Sequence, residues 1–214
     1  MVTQTRAHDL LSCTAPESRL PKGAPAWAHA ALTRTPFVVV RHAPSEAGTI
    51  PVGVRGHARN ERFGFHLARE TIARRVTPEQ LVSERAWTYS SAAFPAIVQL
   101  PFVEAALSPT GYAWGPAGSV AFELATGCPT VTSDSDLDLI VRLPERVSPD
   151  EIARLHASLR SAVVRIDVRV EVPGGFASLS ELAAARPTVL LRTAAGPRMV
   201  RDPWLGHAKN ASRR

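Results

Sequence analysis

Between residues 133 and 143 the chain reads SDSDLDLIVRL, and few folds accommodate such a run. Leu139, Ile140, Val141 and Leu143 favour a pleated, buried strand. Alternate side chains of a strand share a face, so Asp136 and Asp138 project together while Leu137 and Leu139 enter a core. Two carboxylates on one strand face repel each other unless a cation sits between them. Magnesium suits that position, because it takes one or two carboxylates and completes its shell with substrate phosphates.

The flanking segments give this strand a setting. Upstream, Gly118-Ser119 opens the run VAFELATG. Glycine lets the backbone approach a phosphate closely, and a helix starting there aims its first amides at the anion. The Ser119 hydroxyl adds a donor. Downstream, Ser148-Pro149-Asp150-Glu151 reads as a capping box with proline at the first helical position. Ile152, Leu155, Leu159 and Val163 then recur at helical spacing. In RIDVRVEV the alternation returns, with Ile166, Val168, Val170 and Val172 on one face and Asp167, Arg169 and Glu171 on the other. If this strand pairs with the first, Asp167 completes a set of three carboxylates. The third would hold a second metal or act as base toward an attacking hydroxyl. A lone DxD is weak, since it is often a solvated edge or turn. The ordered set of turn, DxD strand, helix and carboxylate strand is far more specific.

The earlier half is less regular. PFVVVRHA and IPVGVRG read as strands, and Thr77, Pro78 and Gln80 as the start of a helix. Turn formers in SPTGYAWGPAG mark a boundary near residues 108–118. The expected organisation is a smaller N-terminal α/β domain over 1–107 for contacts with substrate or a partner protein, a catalytic domain over 108–206, and a basic tail over 207–214. The expected fold class is α/β (α+β), a nucleotidyltransferase-like mixed sheet with helices on one side.

A net charge of +6, mostly from arginine, favours anionic partners, and arginine suits bidentate recognition of phosphate. Arg55, Arg59 and Arg62 could embrace phosphates or an acidic protein; a solvated face paired with Glu61 and Glu70 is the plain alternative. These arginines lack interleaved aromatics for base stacking, which argues against nucleic acid. His42, His57 and His66 lack metal-ligand spacing and read as non-ligands. No apolar run reaches the roughly 18 residues of a membrane span, and no secretory signal is evident. Two cysteines, Cys13 and Cys128, make neither a disulfide framework nor a metal cage, so a cytoplasmic protein is expected.

The text GPAGSVAFELATG, SDLDLIVR, RIDVRVEVPGGFASLSELA and VLLRTAAGPRMVRDPW, in that order, resembles the phosphoribosyl-dephospho-CoA transferases. These are the holo-acyl-carrier-protein synthases of malonate decarboxylase. RAHDLL, PFVVVRHA and IPVGVRG extend the resemblance more loosely into the first half. It implies transfer of a phosphoribosyl-dephospho-CoA group from triphosphoribosyl-dephospho-CoA to a serine of the acyl carrier protein, with pyrophosphate leaving. The family's functional aspartates fall on Asp136 and Asp138, with magnesium the implied metal. Gly118, Ser119, Arg55, Arg59 and Arg192 are the expected donor-binding residues, Arg192 standing where lysine is more usual. Two other readings stay open: a nucleotidyltransferase using an ordinary nucleoside triphosphate, and a non-catalytic nucleic-acid-binding protein.

Overall fold

The computed structural model describes residues 5–15, 19–56, 58, 60–90 and 93–205. Arg59, His57 and the expected tail at 207–214 lie outside the described residues.

The first sheet contains β1 (Leu10–Cys13), β2 (Phe37–Val40), β3 (Thr49–Arg55), β4 (Arg62–Ala68) and β5 (Ile72–Val76). Its order is β4-β3-β2-β1-β5, with every pairing antiparallel. Helix α1 (Ala26–Arg34) packs Ala28, Ala31 and Leu32 against Leu11, Val38, Val52 and Leu67. The period-two pattern explains the layering. Val52 and Val54 of β3 and Phe65 and Leu67 of β4 are buried, while Gly53, Arg55, Arg62 and Gly64 take the opposite face.

The second sheet contains β6 (Ala113–Pro116), β7 (Leu137–Arg142), β8 (Ile166–Val172), β9 (Gly175–Ser178), β10 (Val189–Thr193) and β11 (Gly196–Val200). Its order is β11-β10-β9-β8-β7-β6. β7 and β8 are parallel and the other neighbours antiparallel, so the sheet is mixed and the fold α/β, as expected. A parallel pair needs a crossover, which α6 (Pro149–Ser158) supplies. Leu137, Leu139, Val141 and Leu143 share a core with Val168, Val170, Val172 and with Ile152 and Leu155 of α6.

Two local expectations are corrected. Ser148 Oγ does accept from Glu151 N at 3.2 Å. The Glu151 carboxylate, however, accepts the Tyr112 hydroxyl at 2.5 Å, so the reciprocal half of that capping box does not form. Val163 lies beyond α6 and is 89% exposed. At Thr77 both halves form: Gln80 N donates to Thr77 Oγ1 at 3.1 Å, and Thr77 N to Gln80 Oε1 at 2.8 Å.

That cap begins a helical stretch, α2 (Pro78–Ser83), α3 (Pro95–Val98) and α4 (Leu100–Leu107). Trp87, Ile97, Leu100, Val103 and Leu107 enter the same core as β7 and β8. The second core therefore recruits chain well before residue 108. The turn formers after Leu107 reverse the chain within that unit.

Residues 6–9 lie between the sheets. Arg6 Nη2 reaches Glu171 Oε2 at 3.2 Å, and Ala7 packs on Ala117, Ile140 and Phe176. Asp9, fully buried, accepts from Arg6 N at 2.8 Å and Arg75 Nε at 2.7 Å. Arg142, 3% exposed, pairs with both Glu79 and Glu171. Taking such ions out of water costs several kcal/mol each, so these pairings make the buried interface tolerable.

Candidate active site

The site starts at the junction of β6 and α5 (Gly118–Thr126). Ala117 N donates to the Asp138 carbonyl at 2.8 Å, which stitches the turn onto β7. Gly118 has φ +59°, in the left-handed region, and a Cβ there would collide with the Asp138 carboxylate. Glycine is thus required twice, for conformation and for room. Ala117 offers no side-chain cap, so α5 starts uncapped beside Asp138. Ser119 is buried and does not line the cleft; its carbonyl accepts Thr130 Oγ1 at 3.0 Å. Glu123 Oε2 accepts Thr130 N at 2.7 Å and Val131 N at 2.8 Å. These bonds fix the loop that carries the chain from α5 into β7.

Asp138 stands in register with Asp167 on the parallel neighbour, where strands run about 4.8 Å apart. Asp136 immediately precedes β7 and lies 3.9 Å from Arg165, a largely exposed pairing that contributes little. Burial is the main force holding the Asp138 carboxyl above the usual carboxylate range. Asp167 and Asp136 push it the same way, while Arg169 and Arg55 oppose them. A hard cation would relieve that carboxylate, and Asp136 and Asp138 are the oxygen donors that could hold it.

A cleft of about 520 Å³ opens between the two sheets. Gly118, Asp138, Arg169 and Arg192 line it from the second unit. Arg41, Arg55 and Arg62 line it from the first. Arg55 is near enough to Asp138 to lower its pKa, so charge from one sheet acts on the carboxylate of the other. Phe176 pairs in register with Glu171 on one side and Arg192 on the other. His8 and His42 pack edge-on against its ring, with centroids 5.4 and 5.0 Å away. Burial, then the charges of Arg169 and Arg142, drives His8 down to about 3, so its imidazole is neutral at physiological pH. Burial also lowers His42, while the Glu171 charge and an Arg192 main-chain hydrogen bond pull it back.

Of the residues expected from the sequence, Asp138, Gly118, Arg55 and Arg192 meet in one cleft. Strand register places Asp167 beside them, and Asp136 adjoins through the chain. Sequence reasoning passed over Arg41, Arg169, His8, His42 and Phe176 as cleft residues. Arg169 had a signal, since it alternates with Asp167 on one face of β8. Arg41 had a fainter one in the glycines of two neighbouring strands.

The family model described as the phosphoribosyl-dephospho-CoA transferase MdcG C-terminal domain matches residues 80–203. The corresponding MdcG N-terminal domain model matches residues 6–78. A phosphoribosyl-dephospho-CoA transferase of Pseudomonas putida is 41% identical over 199 residues, covering 93% of this chain and 95% of the relative. One from Pseudomonas aeruginosa is 39% identical over 197 residues, 92% of each. One from Azotobacter vinelandii is 38% identical over 199 residues, covering 92% of this chain and 93% of the relative. No solved structure matches the chain.

Proposed function

The chain belongs to the phosphoribosyl-dephospho-CoA transferase family, and from that premise we propose that it loads the malonate decarboxylase acyl carrier protein with its prosthetic group. The donor is triphosphoribosyl-dephospho-CoA. The carrier serine oxygen attacks the α-phosphorus, the bond from that phosphorus to pyrophosphate breaks, and the serine proton passes to a carboxylate. The observation that carries the reading is the cleft in which Gly118 abuts Asp138 with arginines from both sheets around them.

Each residue takes a role from its position. Gly118 and the uncapped start of α5 receive phosphate oxygens. Arg55, Arg169 and Arg192 supply counter-charge, a task that Arg59, outside the described residues, was expected to share. Asp136 and Asp138 would hold magnesium, which when bound would neutralise charge on the triphosphate. The raised pKa of Asp138 fits that assignment, because burial, and after it the charges of Asp167 and Asp136, work against its ionised form and a cation offsets them. Asp167, in register with Asp138, accepts or orients the serine proton. Phosphoryl-type transfer depends on alignment and charge neutralisation more than on covalent catalysis. The first sheet supplies substrate and carrier contacts and the second the chemistry. Cys13 and Cys128 are not joined in a disulfide, in keeping with a reducing cytoplasm.

The test is intact-mass analysis of the apo carrier protein after incubation with enzyme, magnesium and the donor. A gain matching the prosthetic group is expected with the wild type and lost with Asp138→Asn. No gain with the wild type refutes the assignment. A gain from ATP in place of the donor replaces it with ordinary nucleotidyl transfer.

A further inference from the structure

β3 and β4 contain a feature that sheet formation does not explain. Gly53 and Gly64 face each other across the two strands, in register. Glycine weakens a strand interior, and its presence there points to close approach by something else. Neither residue has a positive φ, so conformation is not the reason. Room is. A Cβ on Gly64 would collide with the Arg41 guanidinium, with Cζ 2.7 Å away, and one on Gly53 would lie 3.4 Å from Arg41 Cδ. The Arg41 side chain lies flat across the paired glycines.

That bed aims a charge into the cleft. Arg41 follows β2 directly, and its N donates to the Pro51 carbonyl at 2.8 Å. Among the described residues no carboxylate forms an ion pair with its guanidinium. One residue pair along the same face, Arg55 and Arg62 oppose each other in register. Like charges directly opposite destabilise a sheet unless anions offset them. Arg55 and Arg62 line, with Arg41, the cleft that contains Gly118 and Asp138. A polyanion in that cleft meets three guanidinium groups at once. Guanidinium groups match phosphate oxygens in a bidentate fork.

We propose that Arg41, laid on the Gly53–Gly64 bed, is a binding residue for the triphosphate of the donor. It grips the chain of phosphates from the first sheet, opposite the Gly118 turn. This rests on the transferase reading above and adds a residue, and a reason for two glycines, that the reading does not need.

The experiment measures binding and turnover separately. Calorimetry with magnesium follows inorganic tripolyphosphate and dephospho-CoA on the wild type, Arg41→Gln, Arg41→Lys and Gly64→Ala. Losing a charged hydrogen-bond partner weakens binding by about 10- to 100-fold, and Arg41→Gln should lose that much for tripolyphosphate. Arg41→Lys, keeping charge but not the fork, should recover part of it. Gly64→Ala leaves the arginine in the sequence but pushes its guanidinium off the bed, and should fall between. Dephospho-CoA affinity should not move. In the transfer assay KM for the donor should rise by a similar factor, with kcat and KM for the carrier nearly unchanged. Wild-type tripolyphosphate affinity in Arg41→Gln, or no tripolyphosphate binding by the wild type, overturns the proposal. So does a loss confined to dephospho-CoA, or a rise in carrier KM alone, which would make Arg41 a carrier contact. A wild type that binds tripolyphosphate but transfers nothing refutes the transferase reading and leaves the binding comparison able to decide on Arg41.

Discussion

Two glycines bracket α5, and comparing them isolates what the active-site turn contributes. Gly118 begins the helix at φ +59° and Gly127 follows it at φ +70°. Alanine at either position must adopt a left-handed conformation, which costs about 1–2 kcal/mol. For a chain of this length that is a fall in Tm of about 2–8 °C. The surroundings differ. An added Cβ at Gly127 meets nothing within 4 Å. At Gly118 it collides with the Asp138 carboxylate and lies 3.2 Å from the Asp138 Cβ, so rotating the carboxylate alone does not clear the space. Either Asp138 or the start of α5 must move. A misplacement near 1 Å at a reacting centre can cost about 100-fold in rate. Gly127→Ala should therefore lose stability and keep its turnover, whereas Gly118→Ala should lose stability to a comparable or greater degree and about 100-fold in kcat. Scanning calorimetry and the carrier-loading assay measure the two quantities. Wild-type turnover in Gly118→Ala, or equal loss in both variants, would refute the argument that the turn acts through Asp138.

Other expectations follow from the charges. The folded pKa of Asp138 is raised, so ionising it costs stability; the cost is absent below its ordinary value of 3.8 and grows as pH rises toward the folded pKa. Asp138→Asn should raise Tm at neutral pH while abolishing transfer; a lowered Tm would show that Asp138 is stabilised by its surroundings. His8, with a folded pKa of about 3 against 6.5 unfolded, stays neutral on folding, so its stabilising share is present above 6.5 and is lost as pH falls toward 3. At about 1.4 kcal/mol per pH unit, the wild type should lose about 2–3 kcal/mol more than His8→Gln by about pH 4.5. Parallel urea midpoints for the two proteins would show His8 to be ordinary. Arg142→Met leaves Glu79 and Glu171 without their shared partner at the interface and should cost about 3–5 kcal/mol by urea unfolding. Adding Glu79→Gln and Glu171→Gln should recover most of it. A loss under about 1 kcal/mol would rank the pair with surface ion pairs.

What was legible in the sequence is what strand and helix periodicity encode over short range. The faces of β7 and β8 follow from alternation alone: Leu137, Leu139, Val168 and Val170 are buried, while Asp138 and Asp167 take the other side. The Thr77 cap followed from local spacing too. Other local signals have two outcomes. Turn formers at 108–118 look the same whether a chain leaves a domain or doubles back inside one, and the packing of Leu107 with β7 is not written in them. Glu151 could reach its cap or Tyr112, and the stronger offer came from a residue 39 positions away. Ser119 has the right residue type for a phosphate donor, but the turn of α5 buries it.

The cleft residues from the first sheet were illegible for a more basic reason. Arg41 and Arg55 acquire meaning only once their sheet is fixed against Asp138, and no periodicity encodes that distance. The fixing is done by residues 6–9, which join the units through Arg6–Glu171 and the Phe176 contacts, while Arg142 holds Glu171 from within its own sheet. Among the described residues, Asp9 Oδ1 and Arg142 Nη2 have no hydrogen-bond partner. An interface that buries charge at such cost is poor as a source of stability but selective in geometry: sliding the sheets would part Arg6 from Glu171 and both histidines from Phe176. That selectivity is what a phosphate clamp spanning two sheets requires, because the Arg55 charge acts on Asp138 only at close range.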